Sequence, residues 1–413
     1  MGIFSSITGE NSNVTVRYVA INYGTFLLGI ILYLLYIKAL NPIEIGLIAI
    51  SRTWGQLFDY LHLGTRFSID RYSPIRSSSF STSLLLLTVT LTLLIGANFI
   101  AILYFAKQEE TAFFSIIISS VVLALSNCFK AHFRALGKVE DLLLNGFMLQ
   151  FLPLTINLVM FWVKPEIEIL RFYCVPYLIA FFIWFACYRK IFLVTRPMSK
   201  MMSAGKYVYK HASSQFLYAA VTLFNITADR FYIDFKLGRE MLGIYSIQLF
   251  VCGALSFLPA TLSELKIREI MRNYSASPSL PSSRVILFVA SPTIFFLVIA
   301  FILLFLGSNY YPIIKDNPLG FYISAVCVVP VIFTSLYSQT ISASSKYHLL
   351  VPTGLLISVL NLTLISNFEI FGENFAIAGP LIKLLVSALE AILLFCLVKS
   401  IVGAASGCKT RGS

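Results

Sequence analysis

Charged side chains stand at regular intervals in stretches of this chain that are otherwise apolar. Arg52, Gln56, Asp59, His62 and Arg66 recur at spacings of four, three, three and four, which places all five on one face of a helix. Ser214, Tyr218, Thr222, Asn225, Asp229 and Tyr232 repeat the pattern, with Arg230 beside Asp229, and Lys383, Ser387 and Glu390 form a third such face. The chemistry open to these residues is ion recognition. The arginine fork and the lysine point charge, here Arg52, Arg230 and Lys383, suit an anionic group. Gln56, Asn225 and Tyr218 add neutral hydrogen bonds beside them. Asp59, Asp229 and Glu390 suit coupling to an ion flux, because a carboxylate in a cavity of changing hydration alters its proton affinity between states. The competing account is structural: Arg230 pairs with Asp229, and Arg52 and Asp59 complete ion pairs between helices. Arg52 and Asp59 lie seven residues apart, as do Lys383 and Glu390. That is about 10 Å along a helix, so neither pair closes within its own helix.

The elements that hold these residues are membrane-spanning helices. Of 413 residues, 58% are hydrophobic and 12% charged, with a mean hydropathy of +0.84; a soluble domain carries about 25% charged residues. Apolar runs lie near residues 17–40, 43–63, 80–105, 111–133, 142–163, 169–192, 211–235, 242–265, 284–306, 319–342, 347–367 and 375–401. Each is long enough to cross a hydrocarbon core of roughly 30 Å as a helix, whereas barrel strands alternate over about 10 residues. The expectation is an all-α polytopic membrane protein of about twelve transmembrane helices. Its polar N-terminal stretch lacks the layout of a cleaved leader, so the first helix is expected to be retained. A charge at mid-membrane costs at least ~2.5–3.5 kcal/mol on insertion scales, so the three stripes must face a wet or protein-lined interior.

The net charge of +12 is dispersed over short connections, which predicts topology rather than nucleic-acid binding. With the N-terminus cytoplasmic, 21 Lys and Arg fall inside and 7 outside, so both termini are expected in the cytoplasm. An internal repeat divides the spans. YIKALNPIEIGLIAI from Tyr36 parallels YIDFKLGREMLGIYSI from Tyr232, aligning Gly46 with Gly243; FRALGKVEDLLLNG parallels ISASSKYHLLVPTG, aligning Lys138 with Lys346 and Gly146 with Gly354. Two pseudo-symmetric six-helix bundles follow, residues 1–193 and 211–413, joined by a basic cytoplasmic linker at 194–210. Six is even, so the halves are expected to be related by an axis along the membrane normal, and rocking them gives alternating access.

Catalysis finds no support in the residues. The four histidines, His62, His132, His211 and His348, are not clustered, and no HExxH, GxSxG or phosphate-cradling glycine loop occurs. The seven cysteines show no CxxC pair and read as small core residues, so neither metal nor cofactor is expected.

LNPIEIGLIAI followed by LHLGTRFSIDRY, then AHFRALGKVED, then DRFYIDFKLGREMLGIYSI occur in an order that resembles polysaccharide flippases of the Wzx type. These belong to the multidrug/oligosaccharidyl-lipid/polysaccharide exporter superfamily, and the resemblance in length and span layout covers nearly the whole chain. It implies a fold like that of multidrug exporters and a location in the bacterial inner membrane. The implied cargo is an oligosaccharide repeat unit (O-antigen, for lipopolysaccharide) on undecaprenyl pyrophosphate. Arg52, Arg230 and Lys383 would then meet the pyrophosphate, and Gln56, Asn225 and Tyr218 the sugar hydroxyls. A polysaccharide polymerase and a chain-length regulator are the implied protein partners, beside membrane lipids. The alternative on the same fold is a drug or small-solute antiporter. Several mid-membrane cations favour anionic cargo over cationic drugs.

Overall fold

The computed structural model describes residues 12–60, 62, 65–66, 69, 78–106, 110–193, 198–276, 280–309, 311–343, 347–371 and 374–410. These are predominantly helical, with no strand among them. The long helices are α1 (Ser12–Ala39), α2 (Pro42–Phe58), α3 (Ser78–Ala106), α4 (Thr111–Ala135), α5 (Val139–Gly146, a π-helical turn Phe147–Phe151, then Leu152–Val163) and α6 (Cys174–Leu193). They continue as α7 (Met198–Lys236), α8 (Arg239–Ala276), α9 (Ser283–Gly307), α10 (Pro318–Val326 and Val328–Ala343), α11 (Leu350–Ser366) and α12 (Phe375–Thr410). Every expected span falls on one of these. Nine segments among the described residues are long and apolar enough to cross a membrane; α2 and α7 carry polar stripes, and α11 has 17 residues. Residues 194–197 of the expected linker, and Lys346 of the repeat, lie outside the described residues.

The chain divides into two units, Met1–Phe216 and Leu217–Ser413. The first helix of each is followed by a short break made with different local chemistry. Before α2, Asn41 Oδ1 accepts the Glu44 N–H at 2.9 Å while the Glu44 carboxylate accepts the Asn41 N–H at 2.9 Å, and Pro42 opens the helix. Before α8, Gly238 takes a φ of 87° and returns its N–H to the Ile233 carbonyl at 3.0 Å, a left-handed termination open to glycine.

One expectation fails here. The second span does not run to residue 63: α2 ends at Phe58, and Asp59 caps it through an N–H bond to the Gln56 carbonyl at 3.2 Å. Aspartate is a poor helix former, and its charge opposes the negative end of the helix dipole. His62, beyond the end of α2, is 1% exposed.

In the first unit α4 packs against α2, α3, α5 and α6. Gly55 permits the α2 approach, since a Cβ there would overlap Ser120 Oγ. Trp184 of α6 is 1% exposed, its ring 4.2 Å from Phe129 and 4.8 Å from Tyr188. At the α5–α6 connection Lys164 lies 3.2 Å from Glu166 and 3.8 Å from Glu168, contacts that raise its pKa, chiefly through the Glu166 hydrogen bond.

In the second unit α12 packs on α8, α10 and α11. Along α9, Val285, Val289, Thr293 and Leu297 are buried while Leu287, Phe295, Ile302 and Phe305 are more than half exposed, an apolar outer face that belongs in lipid. Gly320 of α10 meets α12 so closely that a Cβ would overlap the Ala376 carbonyl and the Gln248 amide, which donates to that carbonyl at 2.7 Å. Backbone cannot yield as a flexible side chain does. Gly320→Ala is therefore expected to destabilise by about 1–3 kcal/mol. Gly253→Ala, with nothing within 4 Å of the new carbon, should be neutral. Thermal unfolding of the purified protein decides it, and equal melting temperatures for the two variants would refute the argument.

Candidate functional site

A cavity of ≈ 480 Å³ opens within the first unit between α1, α2, α4, α5 and the start of α6. Arg52, Gln56 and Asp59 all line it, as the three-and-four spacing on α2 requires. Arg52 lies ten residues into α2, about 15 Å along its axis. Its guanidinium carbon is 5.5 Å from the Tyr33 ring centroid and 5.8 Å from that of Tyr36, both on α1. Tyr173, just before α6, and Tyr177 of α6 line the same cavity and are 7% and 2% exposed. Among the described residues no carboxylate joins these four phenols around Arg52. Aromatic faces offset part of a cation's desolvation, by roughly 0.5–2 kcal/mol, without neutralising it. Arg52 thus stands as a cation in a lined cavity with its charge available to an anion.

Asp59, at the other end of the cavity, is engaged. Its Oδ1 accepts from Arg66 Nη1 at 2.6 Å and from Asn127 Nδ2 at 2.9 Å. In one continuous helix a spacing of seven residues is about 10 Å, too far for this pair. The pair forms because α2 stops at Phe58. From Asn127 the hydrogen bonds continue to Gln150 Nε2 at 3.4 Å, and Gln150 Oε1 accepts from Lys130 Nζ at 2.5 Å. Ser126 ties the network into α5, donating to Asn145 Oδ1 at 2.9 Å and accepting from Gln150 at 3.3 Å. Asn145 and Gln150 are five residues apart, and at 100° per residue an α-helix would point them about 140° apart. The π-helical turn Phe147–Phe151 winds one residue more per hydrogen-bonded ring and brings both to Ser126.

The second unit holds its own buried charge. Asp229, fully buried on α7, accepts from Tyr245 Oη at 2.9 Å and from the Arg230 backbone N–H at 2.8 Å, and Lys383 Nζ of α12 lies 3.5 Å from its Oδ2. Lys383 is thus placed on Asp229, whereas Arg230 meets it through the backbone. Asn225 is half-buried, with its side-chain oxygen buried and accepting no hydrogen bond. Tyr218 packs on the apolar cluster of Tyr337, Ile341, Leu350 and Leu394. Glu390 is half-buried on α12, two turns beyond Lys383, with no ion pair among the described residues.

No protein-family profile matches the chain, and no curated protein does. Solved structures do match. An outward-facing multidrug resistance MATE family transporter of the MOP superfamily is similar over 95% of this chain and 96% of its own, with a TM-score of 0.53 and 12% identity. The chain has the fold of a MATE transporter. The eukaryotic MATE transporter AtDTX14 agrees, with a TM-score of 0.52 over 95% of this chain and 97% of its own, again at 12% identity. Such identities establish the fold alone, so the cargo must be read from the site.

Within this MATE fold, the α2 stripe is legible in the sequence but its surroundings are not. Tyr33 and Tyr36, three apart, and Tyr173 and Tyr177, four apart, carried a helical-face signal, yet nothing local says that both faces turn toward Arg52. Asn127 with Lys130, again three apart, was a similar signal on α4. Tyr245 carried none: one phenol in an apolar run gives no hint of Asp229.

Proposed function

We propose that the protein is a secondary transporter that exports an organic solute bearing an anionic group, by alternating access and in exchange for an ion. The observation that carries this reading is Arg52, a mid-helix cation ringed by four tyrosines in a cavity of drug-like size and without a carboxylate partner among the described residues. Anionic cargo supplies the missing counter-charge, while Gln56, Asn127 and the phenols orient its polar groups. Asp59 and Asp229 already hold cationic side chains. A coupling ion therefore meets least competition at Glu390. Liposomes containing the purified protein, under a proton or sodium gradient, test the charge rule. Fluorescent organic anions are expected to be transported and matched cations excluded; transport of cations alone would refute it.

The second reading, a flippase for glycan on undecaprenyl pyrophosphate in the inner membrane with both termini cytoplasmic, draws on the same arginine. A guanidinium fork beside hydroxyls and amides suits pyrophosphate next to sugar. Complementation of a strain lacking its own flippase separates the two. Restored surface polysaccharide supports the flippase; accumulation of lipid-linked repeat units in every background supports the solute exporter.

A further inference from the structure

A second cavity of the first unit, of ≈ 460 Å³, lies between α1 and α5. Ala20 and Ile21 of α1, with Leu143, Leu144 and Phe147 of α5, form its walls. Their spacing of one and of three to four residues gives each helix a single stripe along the groove. Leu144 is 43% and Phe147 39% exposed, so the groove is open along its apolar wall. Phe147 is held broadside by stacking on Phe151, 5.7 Å between centroids and 19° between planes. Arg17 and Glu140 sit together at one end, both exposed and neither ion-paired among the described residues. Each belongs to the opening turns of its helix, so charge stands at the end of the groove and hydrocarbon along it. From Glu140 to Phe147 the apolar wall extends about 10 Å, a third of a hydrocarbon core of roughly 30 Å.

From one cation and one anion at the end of an open apolar groove, we infer that the site binds a single phospholipid with a zwitterionic aminoethyl-phosphate headgroup. Arg17 takes the phosphate, Glu140 takes the ammonium, and an acyl chain lies along Leu143, Leu144 and Phe147. The chemistry discriminates among headgroups. A purely anionic headgroup leaves Glu140 facing a like charge, and a trimethylammonium headgroup offers that carboxylate no N–H to accept. This site is separate from the Arg52 cavity and does not depend on what that cavity carries.

Native mass spectrometry of the purified full chain tests it, using phosphatidylethanolamine, phosphatidylglycerol and phosphatidylcholine of identical acyl chains. Phosphatidylethanolamine is expected to be retained in preference to both. Glu140→Gln should erase its advantage over phosphatidylcholine by about tenfold, the size of one charge-assisted hydrogen bond. Glu140→Lys should turn the preference to phosphatidylglycerol. Because both residues are exposed, the variants should melt with the wild type, which excludes misfolding as the cause. A wild type indifferent to headgroup, or preferring phosphatidylglycerol, overturns the inference, as does unchanged selectivity in the Arg17→Gln, Glu140→Gln double variant.

Discussion

Lys383→Met is expected to destabilise the second unit by about 3 kcal/mol, and adding Asp229→Asn is expected to recover most of that loss. Asp229 is fully buried, so without Lys383 its carboxylate keeps, among the described residues, the Tyr245 hydroxyl and the Arg230 N–H and cannot turn to water. Removing one member of a buried pair costs about 3–5 kcal/mol because the other charge is stranded, while removing both charges strands nothing. The lower end of that range applies, since the contact is 3.5 Å long and polar contacts between membrane helices average only ≈ 0.6 kcal/mol. Asp229→Asn alone should be milder. Lys383 has a fifth of its side chain exposed and can lift its ammonium toward water. Denaturant titration of the three variants measures the cycle. A Lys383→Met protein as stable as the wild type would mean that the contact contributes nothing.

Arg52→Ala is expected to reverse that pattern: transport of anionic cargo falls about 100-fold, equivalent to ~2.7 kcal/mol of lost charge-assisted binding, while stability is unchanged or rises. Arg52 strands no carboxylate when it is removed, because none neutralises it among the described residues. What disappears is the cost of holding a cation at mid-membrane, ~2.5–3.5 kcal/mol, against a loss of roughly 0.5–2 kcal/mol of contact with the Tyr33 and Tyr36 faces. Arg52→Lys keeps the charge and loses the fork, so partial transport is expected if the anion is held at one point and almost none if it is held in two. Flux into liposomes and melting temperature are read on the same preparations. An Arg52→Ala protein that transports normally would remove the cargo role; one that unfolds would show Arg52 to be structural. Arg66→Ala is the control, because among the described residues it leaves Asp59 with Asn127 and should lower stability.

The chain's own residues determined that it crosses a membrane as helices, because a bilayer leaves apolar runs of this length no other way to satisfy their backbone groups. They determined the six-plus-six layout through repeated local patterns, and the α2 stripe, because residues three and four apart share a helical face wherever the helix sits. Only the tertiary structure decided which partner each charge meets. The ends of the Lys383–Asp229 contact are 154 residues apart, and their meeting depends on how α7 and α12 pack. The Asp59–Arg66 pair required α2 to stop at Phe58, and the joint reach of Asn145 and Gln150 required a π-helical turn. Both are departures of one or a few residues from a regular helix, too small for hydropathy to register and large enough to redirect a side chain. In sequence Arg52 and Lys383 are alike, each a mid-span cation seven residues before a carboxylate. Packing surrounded one with phenols and set the other against a carboxylate, and that difference separates a candidate receptor for anions from an ion pair that holds helices together.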